Sequence, residues 1–248
     1  MITDSFNLSS PIISPADFYG EQKHICQKCI VTFSRIILEN VLSSFPCEEI
    51  ARIGAANGAI PIYAFDWMGE RIAIYLTGIG ATLAATDVIE CSWLTGCTQF
   101  IMFGSAGNLN RAKTEGKFVI PTEAYRDEGM SYHYAPPADW IPIRQAEKLS
   151  QIFDELHIPH VDGRVWTTDA IYRETRDQLQ KRQADGCLAV EMELAGVQAV
   201  CDFHGLELYD FLATGDVLDA PDYSPEGLHD ANHNLDKFSI ALEIARRI

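Results

Sequence analysis

The sequence has little positive charge, no long hydrophobic run and no cysteine pattern typical of disulfide-bonded proteins. Its 248 residues include 19 lysines and arginines against 35 aspartates and glutamates, which gives a formal net charge of -16. This charge repels nucleic-acid phosphates and anionic membrane surfaces. No apolar run approaches the roughly 20 residues that a membrane helix needs. We therefore expect neither nucleic acid nor a membrane as a partner.

The cysteines and the first residues indicate a compartment. Seven cysteines, an odd number, are spread from Cys26 to Cys201, unlike the paired framework of a small secreted protein. The N-terminal residues lack the basic and then apolar segments of a signal peptide. We expect a cytoplasmic protein.

Internal repeats, low-complexity tracts and linkers rich in Gly, Ser or Pro are also absent from the sequence. With 47% hydrophobic residues, the chain can bury a large core. We expect residues 1–248 to form a single domain.

Apolar segments of strand length alternate with helical segments from residue 60 onward. Expected strands cover residues 60–65, 71–77, 99–103, 117–121, 164–167, 187–190 and 206–214. Expected helices cover residues 81–94, 144–156, 175–182, 193–204 and an amphipathic C-terminal segment ending at residues 246–247. This alternation predicts a largely buried sheet with helices on both faces, which binds ligands at loops after strand C-termini. The first 55 or so residues show little beyond ordinary helix patterns.

Two loops of this kind are rich in glycine. In residues 77–80 (Thr-Gly-Ile-Gly), Gly78 and Gly80 would let backbone N–H groups approach an anion at the start of a helix. In residues 104–107 (Gly-Ser-Ala-Gly), Ser105 could donate its hydroxyl to a phosphate or cap a local turn. Ordinary turn geometry explains either loop equally, and the spacing does not match the dinucleotide-binding fingerprint.

Two other loops carry carboxylates. Glu191 and Glu193 flank Met192 after an apolar strand, where a carboxylate could accept hydrogen bonds from ribose hydroxyls while the thioether packs against the sugar. Acidic residues placed at a helix N-terminus for electrostatic reasons are the alternative. Asp216 follows another apolar strand, where burial would raise its pKa and let it protonate a leaving base. An ordinary turn residue is the alternative there.

Two patterns suggest metal ligands. Cys26 and Cys29 form a Cys-x-x-Cys pair near His24, and His229 and His233 lie one helical turn apart. The cysteines have no second pair at zinc-finger spacing, and the histidines lack the glutamate of zinc proteases. We interpret both patterns as structural and expect no metal.

Taken in order, these segments resemble the nucleoside phosphorylase superfamily, which includes purine nucleoside phosphorylases, uridine phosphorylases and methylthioadenosine nucleosidases. The resemblance spans roughly residues 59–247 and rests chiefly on residues 190–193 (Val-Glu-Met-Glu), with support from residues 104–107. Residues 167–172 (Thr-Thr-Asp-Ala-Ile-Tyr) look like the base-pocket segment of the family, and residues 126–134 are similar to a stretch of uridine phosphorylases. The implied fold is a three-layer α/β/α sandwich with a central mixed, partly barrel-like sheet.

The resemblance implies roles for single residues. Asp216 would be the general acid at the base, and Glu193 would hold the ribose hydroxyls above Met192. The further substrate contacts that it implies are Glu191, Thr168, Ile171, Tyr172 and His133. The phosphate contacts that we expect are Gly78, Gly80, Ser105 and Arg126. Phosphate would be a co-substrate, no metal or organic cofactor is implied, and self-association as a homodimer or homohexamer is expected.

The sequence departs from the family at the phosphate site. Phosphorolytic members usually hold phosphate with three arginines, and none of these is visible here. Residues 102–103 (Met-Phe) precede Gly104, residues 14–18 (Ser-Pro-Ala-Asp-Phe) stand for a Gly-x-Pro-x-Arg segment, and residues 57–58 (Asn-Gly) fall where a neighbour's arginine would lie. Arg52, Arg126 and Arg173 are candidate substitutes because they lie near these segments.

Three functions remain open. We favour a phosphorylase with a rearranged phosphate site, because the sugar and base motifs are intact. A nucleosidase that uses water and a non-catalytic nucleoside-binding or scaffold protein are the alternatives, both suggested by the missing arginines. Asp216 favours a purine base, whereas residues 126–134 favour a pyrimidine; we expect a purine.

Overall fold

A computed structural model describes residues 2–56, 58–219 and 222–248. Within these ranges ten strands join one sheet. They are β1 (Lys28–Thr32), β2 (Glu48–Ala55), β3 (Gly58–Trp67), β4 (Glu70–Leu76), β5 (Gln99–Asn108), β6 (Phe118–Asp127), β7 (Trp140–Pro142), β8 (His160–Thr168), β9 (Cys187–Glu191) and β10 (Glu207–Val217).

Helices connect most of these strands. They are α1 (Pro15–Tyr19), α2 (Arg35–Ser44), α3 (Ala81–Thr95), α4 (Arg111–Thr114), α5 (Ser131–Tyr134), α6 (Ala146–Glu155), α7 (Arg176–Ala184), α8 (Leu194–His204), α9 (Leu228–His233) and α10 (Asp236–Ala245). Short 3-10 turns cover Ile2–Asp4 and Ile171–Arg173. Helices α3 and α8 pack against each other, while α10 packs on β5 and α6 on β6.

The sheet is mixed and partly closed. Its strand order is β10-β6-β8-β9-β5-β1-β4-β3-β2, and β5 also pairs with β10. The second pairing closes β5, β10, β6, β8 and β9 into a barrel, from which β1, β4, β3 and β2 extend as an open sheet. Strands β1 and β10 run parallel to β5, whereas β9 runs antiparallel to it. The expected α/β fold with a partly barrel-like sheet is confirmed.

The glycine-rich segment 104–107 is part of a strand, so the expected turn there is wrong. Strand β5 continues to Asn108, because Gly104 pairs with Leu212 and Gly107 pairs with Val190. A Cβ atom at Gly107 would lie 2.7 Å from the Leu218 side chain and 2.9 Å from that of Val190. Glycine is therefore needed here for close packing of three strands rather than for a turn.

The ends of three other elements also differ from expectation. Strand β10 continues past Thr214 to Val217, so Asp216 lies in the irregular end of the strand and not after it. The C-terminal amphipathic segment is two helices, since the Asn234 side chain accepts a hydrogen bond from the Asp236 backbone at 2.8 Å and starts α10 anew. Strand β6 extends to Asp127, well beyond the expected residue 121.

The N-terminal region supplies a central strand that the sequence patterns did not reveal. Strand β1 lies between β4 and β5 and is buried along its whole length. It leads into α2 through Ser34, whose hydroxyl caps the helix by accepting from the Ile37 N–H at 3.2 Å. Since β1, β5 and β10 are parallel, their C-terminal ends lie side by side and form one edge of a cavity.

The core follows the sheet on both faces. Trp166, Tyr75, Tyr209 and Phe100 are among the largest side chains that are almost completely buried. Over the described ranges, every helix is too short or too polar to cross a lipid bilayer.

Candidate active site

A cavity of about 450 Å³ lies at the C-terminal ends of the parallel strands. Its walls come from the loop after β1, the second half of β5, the end of β9 and the helices α9 and α10. Of the site residues expected from the sequence, the lining includes Ser105, Ile171, Glu191, Met192 and Glu193. The fold thus brings the glycine-serine segment and the Glu-Met-Glu segment to one place.

Glu193 is held in the cavity wall by backbone donors. One carboxylate oxygen accepts from the Gly80 N–H at 2.6 Å, and the other accepts from the Met192 N–H at 3.3 Å. Burial raises the pKa of Glu193, and these two hydrogen bonds oppose the rise. The result is a positioned carboxyl group beside a thioether, which is what binding of two vicinal hydroxyls requires.

Glu191 performs a different task from Glu193. One of its oxygens accepts from the backbone N–H groups of Glu193 and Leu194, both at 2.7 Å, and the other accepts from the Thr167 hydroxyl. Burial, with the charge of Glu193, raises its pKa. These bonds satisfy the first N–H groups of α8 and fix Glu193, so Glu191 fits the helix-terminus alternative better than a direct substrate contact.

The base-pocket segment reaches the cavity only in part. Ile171 lines it, whereas Tyr172 is 97% exposed and stands outside it in this chain. Thr168 is buried behind the wall, where its hydroxyl accepts from the Ala170 N–H at 3.2 Å. Neither Tyr172 nor Thr168 lines the cavity of this chain, and their role as substrate contacts stays a prediction.

Asp216 and Glu174 lie at the same end of the cavity. Asp216 is half-buried at the end of β10, with a carboxyl oxygen 3.6 Å from the position of a Cβ on Gly107, which lines the cavity. Burial raises the pKa of Asp216, and a hydrogen bond from the Tyr223 hydroxyl opposes this. Glu174 lines the cavity, and burial together with the charge of Asp216 raises its pKa to about 7. A proton is therefore available here near neutral pH.

The expected phosphate contacts are dispersed, with Ser105 alone lining the cavity. The Gly80 N–H already donates to Glu193, and the Cα of Gly78 faces the Leu83 side chain. Arg126 is buried elsewhere: its guanidinium donates to the Ser131 hydroxyl at 2.8 Å and to the Pro136 carbonyl at 2.7 Å. Arg126 therefore organises the segment after β6 and is corrected as a phosphate contact.

The remaining expected residues also lie away from the cavity. His133 is exposed on α5, Arg52 is exposed and pairs with Glu49, and Arg173 is exposed on the rim turn. Residues 14–18 lead into the short helix α1 on the surface, so they are not the loop that enters the site. Asn57 falls outside the described residues.

A group of polar residues, of which only Ser105 was expected from the sequence, also lines the cavity. The Ser34 hydroxyl and His233 Nδ1 lie 2.8 Å apart, and the Ser105 hydroxyl hydrogen-bonds the Asn232 side chain. Beneath them Lys237, 1% exposed, donates to the Ala231 carbonyl and, at 3.4 Å each, to the carbonyls of Gly104 and Asn232. Burial lowers its pKa to about 8. Ser34, Ser105, His233 and Lys237 are called the hydroxyl-ammonium group below.

A signal for Lys237 was present in the sequence. It shares one face of α10 with Ile240, Ala241 and Ile244, at helical spacings of three, four and seven, and all four are buried. Burying a lysine costs free energy, so a lysine on the apolar face of a helix indicates buried hydrogen-bond acceptors or an anion that it binds.

Asp210 is a second buried charge that the sequence analysis missed. It lies in the middle of β10, is 1% exposed, and neither of its carboxyl oxygens has a hydrogen-bond partner among the described residues. Burial and the charges of Glu191 and Glu193 raise its pKa far above that of an exposed aspartate. The signal was this single aspartate inside the mostly apolar segment 208–215.

The metal-like patterns form no complete ligand set within the described ranges. Cys29 contacts Cys91, with 3.7 Å between the sulfur atoms, inside the apolar core. The rings of His229 and His233 stack edge to face at 4.7 Å, and His233 is engaged by Ser34.

Comparison with known families decides the relationship that the geometry suggests. The sequence profile described as the phosphorylase superfamily matches residues 29–246. The chain belongs to this superfamily. The match includes β1 and therefore extends nearly 30 residues further toward the N-terminus than the motifs in the sequence indicated.

Individual relatives are distant. A DeoD-type purine nucleoside phosphorylase of Caldanaerobacter subterraneus subsp. tengcongensis is 25% identical over 217 residues, covering 86% of this chain and 90% of that protein. A futalosine hydrolase mutant of Helicobacter pylori has a similar structure, with a TM-score of 0.69, 16% identity, and coverage of 89% of this chain and 100% of the other. An AMP nucleosidase of Bacteroides thetaiotaomicron gives a TM-score of 0.67 at 18% identity, with 90% of each chain covered. These two structures establish the superfamily's fold for this chain.

Proposed function

We propose that the protein is a nucleoside phosphorylase that transfers the ribose of a purine ribonucleoside to phosphate, giving the free base and ribose 1-phosphate. The observation that carries the proposal is the arrangement of three different groups around one cavity. Glu193 and Met192 suit a sugar, Asp216 and Glu174 suit a leaving base, and the hydroxyl-ammonium group suits an anion. The relative from Caldanaerobacter, named as a purine nucleoside phosphorylase, is consistent with this assignment.

The leaving base needs a proton. Cleavage of an N-glycosidic bond leaves charge on the base while the sugar becomes oxocarbenium-like, so a donor at the base lowers the barrier. Asp216, whose pKa burial raises, is the proposed donor. Glu193 orients the sugar through its hydroxyls, and Glu191 keeps Glu193 in place through the start of α8.

The acceptor is phosphate, bound by the hydroxyl-ammonium group. Ser34 and Ser105 supply hydroxyl donors, and His233 supplies a ring nitrogen. Lys237 supplies a positive charge next to Gly104 of β5. A buried charge acts on an anion with little screening, even where its own protons are directed to carbonyl groups. This group would replace the three arginines that phosphorolytic relatives use.

Hydrolysis is the second candidate. Among the described residues that line the cavity there is no arginine, whereas four carboxyl groups line it and that of Asp216 lies nearby, which weakens the attraction of a phosphate dianion. The titles of the two similar structures name a hydrolase and a nucleosidase. Water would then take the place that we assign to phosphate.

The test is to incubate the pure protein with purine and pyrimidine nucleosides, with and without phosphate, and to identify both products. Release of base that requires phosphate and yields ribose 1-phosphate supports the proposal. Release of free ribose without phosphate replaces it by hydrolysis. Absence of turnover with every nucleoside, together with binding of a nucleoside, would support the non-catalytic alternative.

A further inference from the structure

Two carboxyl groups on different elements lie near each other at one end of the cavity: Glu174 lines it, and Asp216 acts electrostatically on Glu174. Glu174 ends the turn that carries Ile171, and Asp216 ends β10 next to Gly107; Ile171, Glu174 and Gly107 all line the cavity. The Arg176 guanidinium donates to the Leu218 carbonyl at 3.0 Å and so holds the Glu174 segment against the end of β10. Glu174 is therefore part of the cavity wall, and Asp216 lies next to Gly107 of the same wall.

Among the described residues, no lysine or arginine forms an ion pair with Glu174 or Asp216. Lys237 is the only lysine or arginine among the described residues that line the cavity, and its ammonium is engaged by the carbonyls of Gly104, Ala231 and Asn232. Two neighbouring carboxyls without a counter-charge do not both ionise, and they retain one proton between them. The raised pKa values of Glu174 and Asp216 are consistent with this.

A carboxyl pair with one proton offers one donor and one acceptor. The edge of a 6-aminopurine presents one acceptor, N7, beside one donor, the exocyclic amino group, whereas a 6-oxopurine presents two acceptors, N7 and O6. The aminopurine edge therefore complements the pair, with Asp216 donating to N7 and Glu174 accepting from the amino group. A 6-oxopurine would require a second proton or would place its O6 against a carboxylate.

Building on the proposed function, we propose that Glu174 is a specificity-determining residue that, with Asp216, selects 6-aminopurine nucleosides over 6-oxopurine nucleosides. Nothing in the sequence motifs marked Glu174, which follows the base-pocket segment by two residues.

The experiment compares adenosine with inosine, by kcat/KM in the presence of phosphate, and adenine with hypoxanthine, by calorimetric affinity. Because an unmatched buried polar group costs a factor of 10 or more, the native protein should prefer the amino compounds by roughly 10- to 100-fold. In Glu174→Gln, the amide can donate to O6 as well as accept from an amino group, so the preference should shrink to about threefold or less. Glu226→Gln, the same change on an exposed loop, should leave the preference unaltered.

The outcomes separate this inference from the proposed function. Equal or better use of inosine by the native protein overturns the inference while leaving phosphorolysis intact, and so does an unchanged preference in Glu174→Gln. If no nucleoside is cleaved, the proposed function fails, and the affinities of the two free bases still decide the inference. Binding of neither base overturns the inference as well.

Discussion

Two regions of the cavity hold opposite charges and use different backbone groups to do so: N–H donors for the carboxylates and carbonyl acceptors for the ammonium. At the carboxyl end, backbone N–H groups of Gly80, Met192 and Leu194 donate to Glu191 and Glu193. At the other end, backbone carbonyls of Gly104, Ala231 and Asn232 accept from Lys237. Among the described residues, Lys237 forms no ion pair with a carboxyl of the cavity. The main chain thus stabilises both charged groups, so a substrate that binds either one competes with hydrogen bonds already formed.

The proposed proton donor to the base should show the largest effect. Asp216→Asn removes the proposed proton donor with little change in shape, and we expect kcat/KM for a purine ribonucleoside to fall by roughly 10²- to 10⁴-fold. A riboside with nitrophenolate as leaving group needs no protonation, so its cleavage should change little. Kinetics with both substrates check this, and an equal loss for both would contradict a role at the base.

The sugar contact should come next. Glu193→Gln replaces charge-assisted hydrogen bonds to the ribose hydroxyls by neutral ones, and we expect kcat/KM to fall by about 10²-fold. Thermal unfolding distinguishes lost binding from a damaged fold. If activity on ribonucleosides survives within about twofold, Glu193 does not hold the sugar.

The opposite end should respond in a different kinetic parameter. Lys237→Met keeps the length of the side chain and removes its charge, so KM for phosphate should rise by roughly 10-fold while KM for the nucleoside stays nearly constant. The variant leaves the carbonyls of Gly104, Ala231 and Asn232 without this donor, so it should unfold at a lower temperature than the native protein, and the unchanged KM for the nucleoside separates lost phosphate binding from lost stability. Lys113→Met, on the exposed surface of α4, is the matched control.

The pH dependence of KM for phosphate tests whether Lys237 contributes its charge to phosphate binding. Burial lowers its pKa to about 8, so its positive charge is present below this pH and is lost as pH rises through it. KM for phosphate should therefore climb above pH 8 in the native protein and stay flat in Lys237→Met. A native KM for phosphate that is constant between pH 7 and pH 9 would remove Lys237 from the site.

The smallest effect concerns stability. Burial raises the pKa of Asp210 in the folded state above its ordinary value of 3.8, so the folded protein binds the extra proton and loses stability as pH rises above about 4. Asp210→Asn carries no such penalty, so its free energy of unfolding should exceed the native one increasingly from pH 4 to pH 8, by roughly 1–3 kcal/mol at neutral pH. Asp222→Asn, on an exposed loop, should show no such trend. A lower melting temperature at every pH would mean that Asp210 stabilises the fold.

Much of the sheet could be predicted because its strands after residue 60 carry local apolar patterns. Strand β1 was not predicted, because it has only five residues and pairs with β4 and β5, which come later in the chain. The extension of β5 through residues 104–107 was not predicted either, because it also depends on contacts with distant parts of the chain. Glycines read locally as a turn, while the close packing that requires them involves Val190 and Leu218, far along the sequence.

The residues of the candidate site likewise fall into those that the sequence motifs predict and those that only the fold brings together. Glu193, Met192 and Ser105 could be found because they belong to contiguous motifs. Lys237 and Asp210 are single charged residues inside apolar segments, which a search for motifs passes over and a search for misplaced charge would find. Ser34 and His233 become partners only through folding, since 199 positions separate them.

The backbone N–H of Gly80 and a ribose hydroxyl would compete for the same oxygen of Glu193. A ribose that takes over this carboxylate must displace a donor already 2.6 Å away, so the affinity for the sugar is the difference between two sets of hydrogen bonds. A 2′- or 3′-deoxyribose has fewer hydroxyls to offer in exchange. Under the proposed function, a deoxynucleoside would therefore bind more weakly without any steric clash, because it displaces the Gly80 hydrogen bond and forms fewer hydrogen bonds in its place.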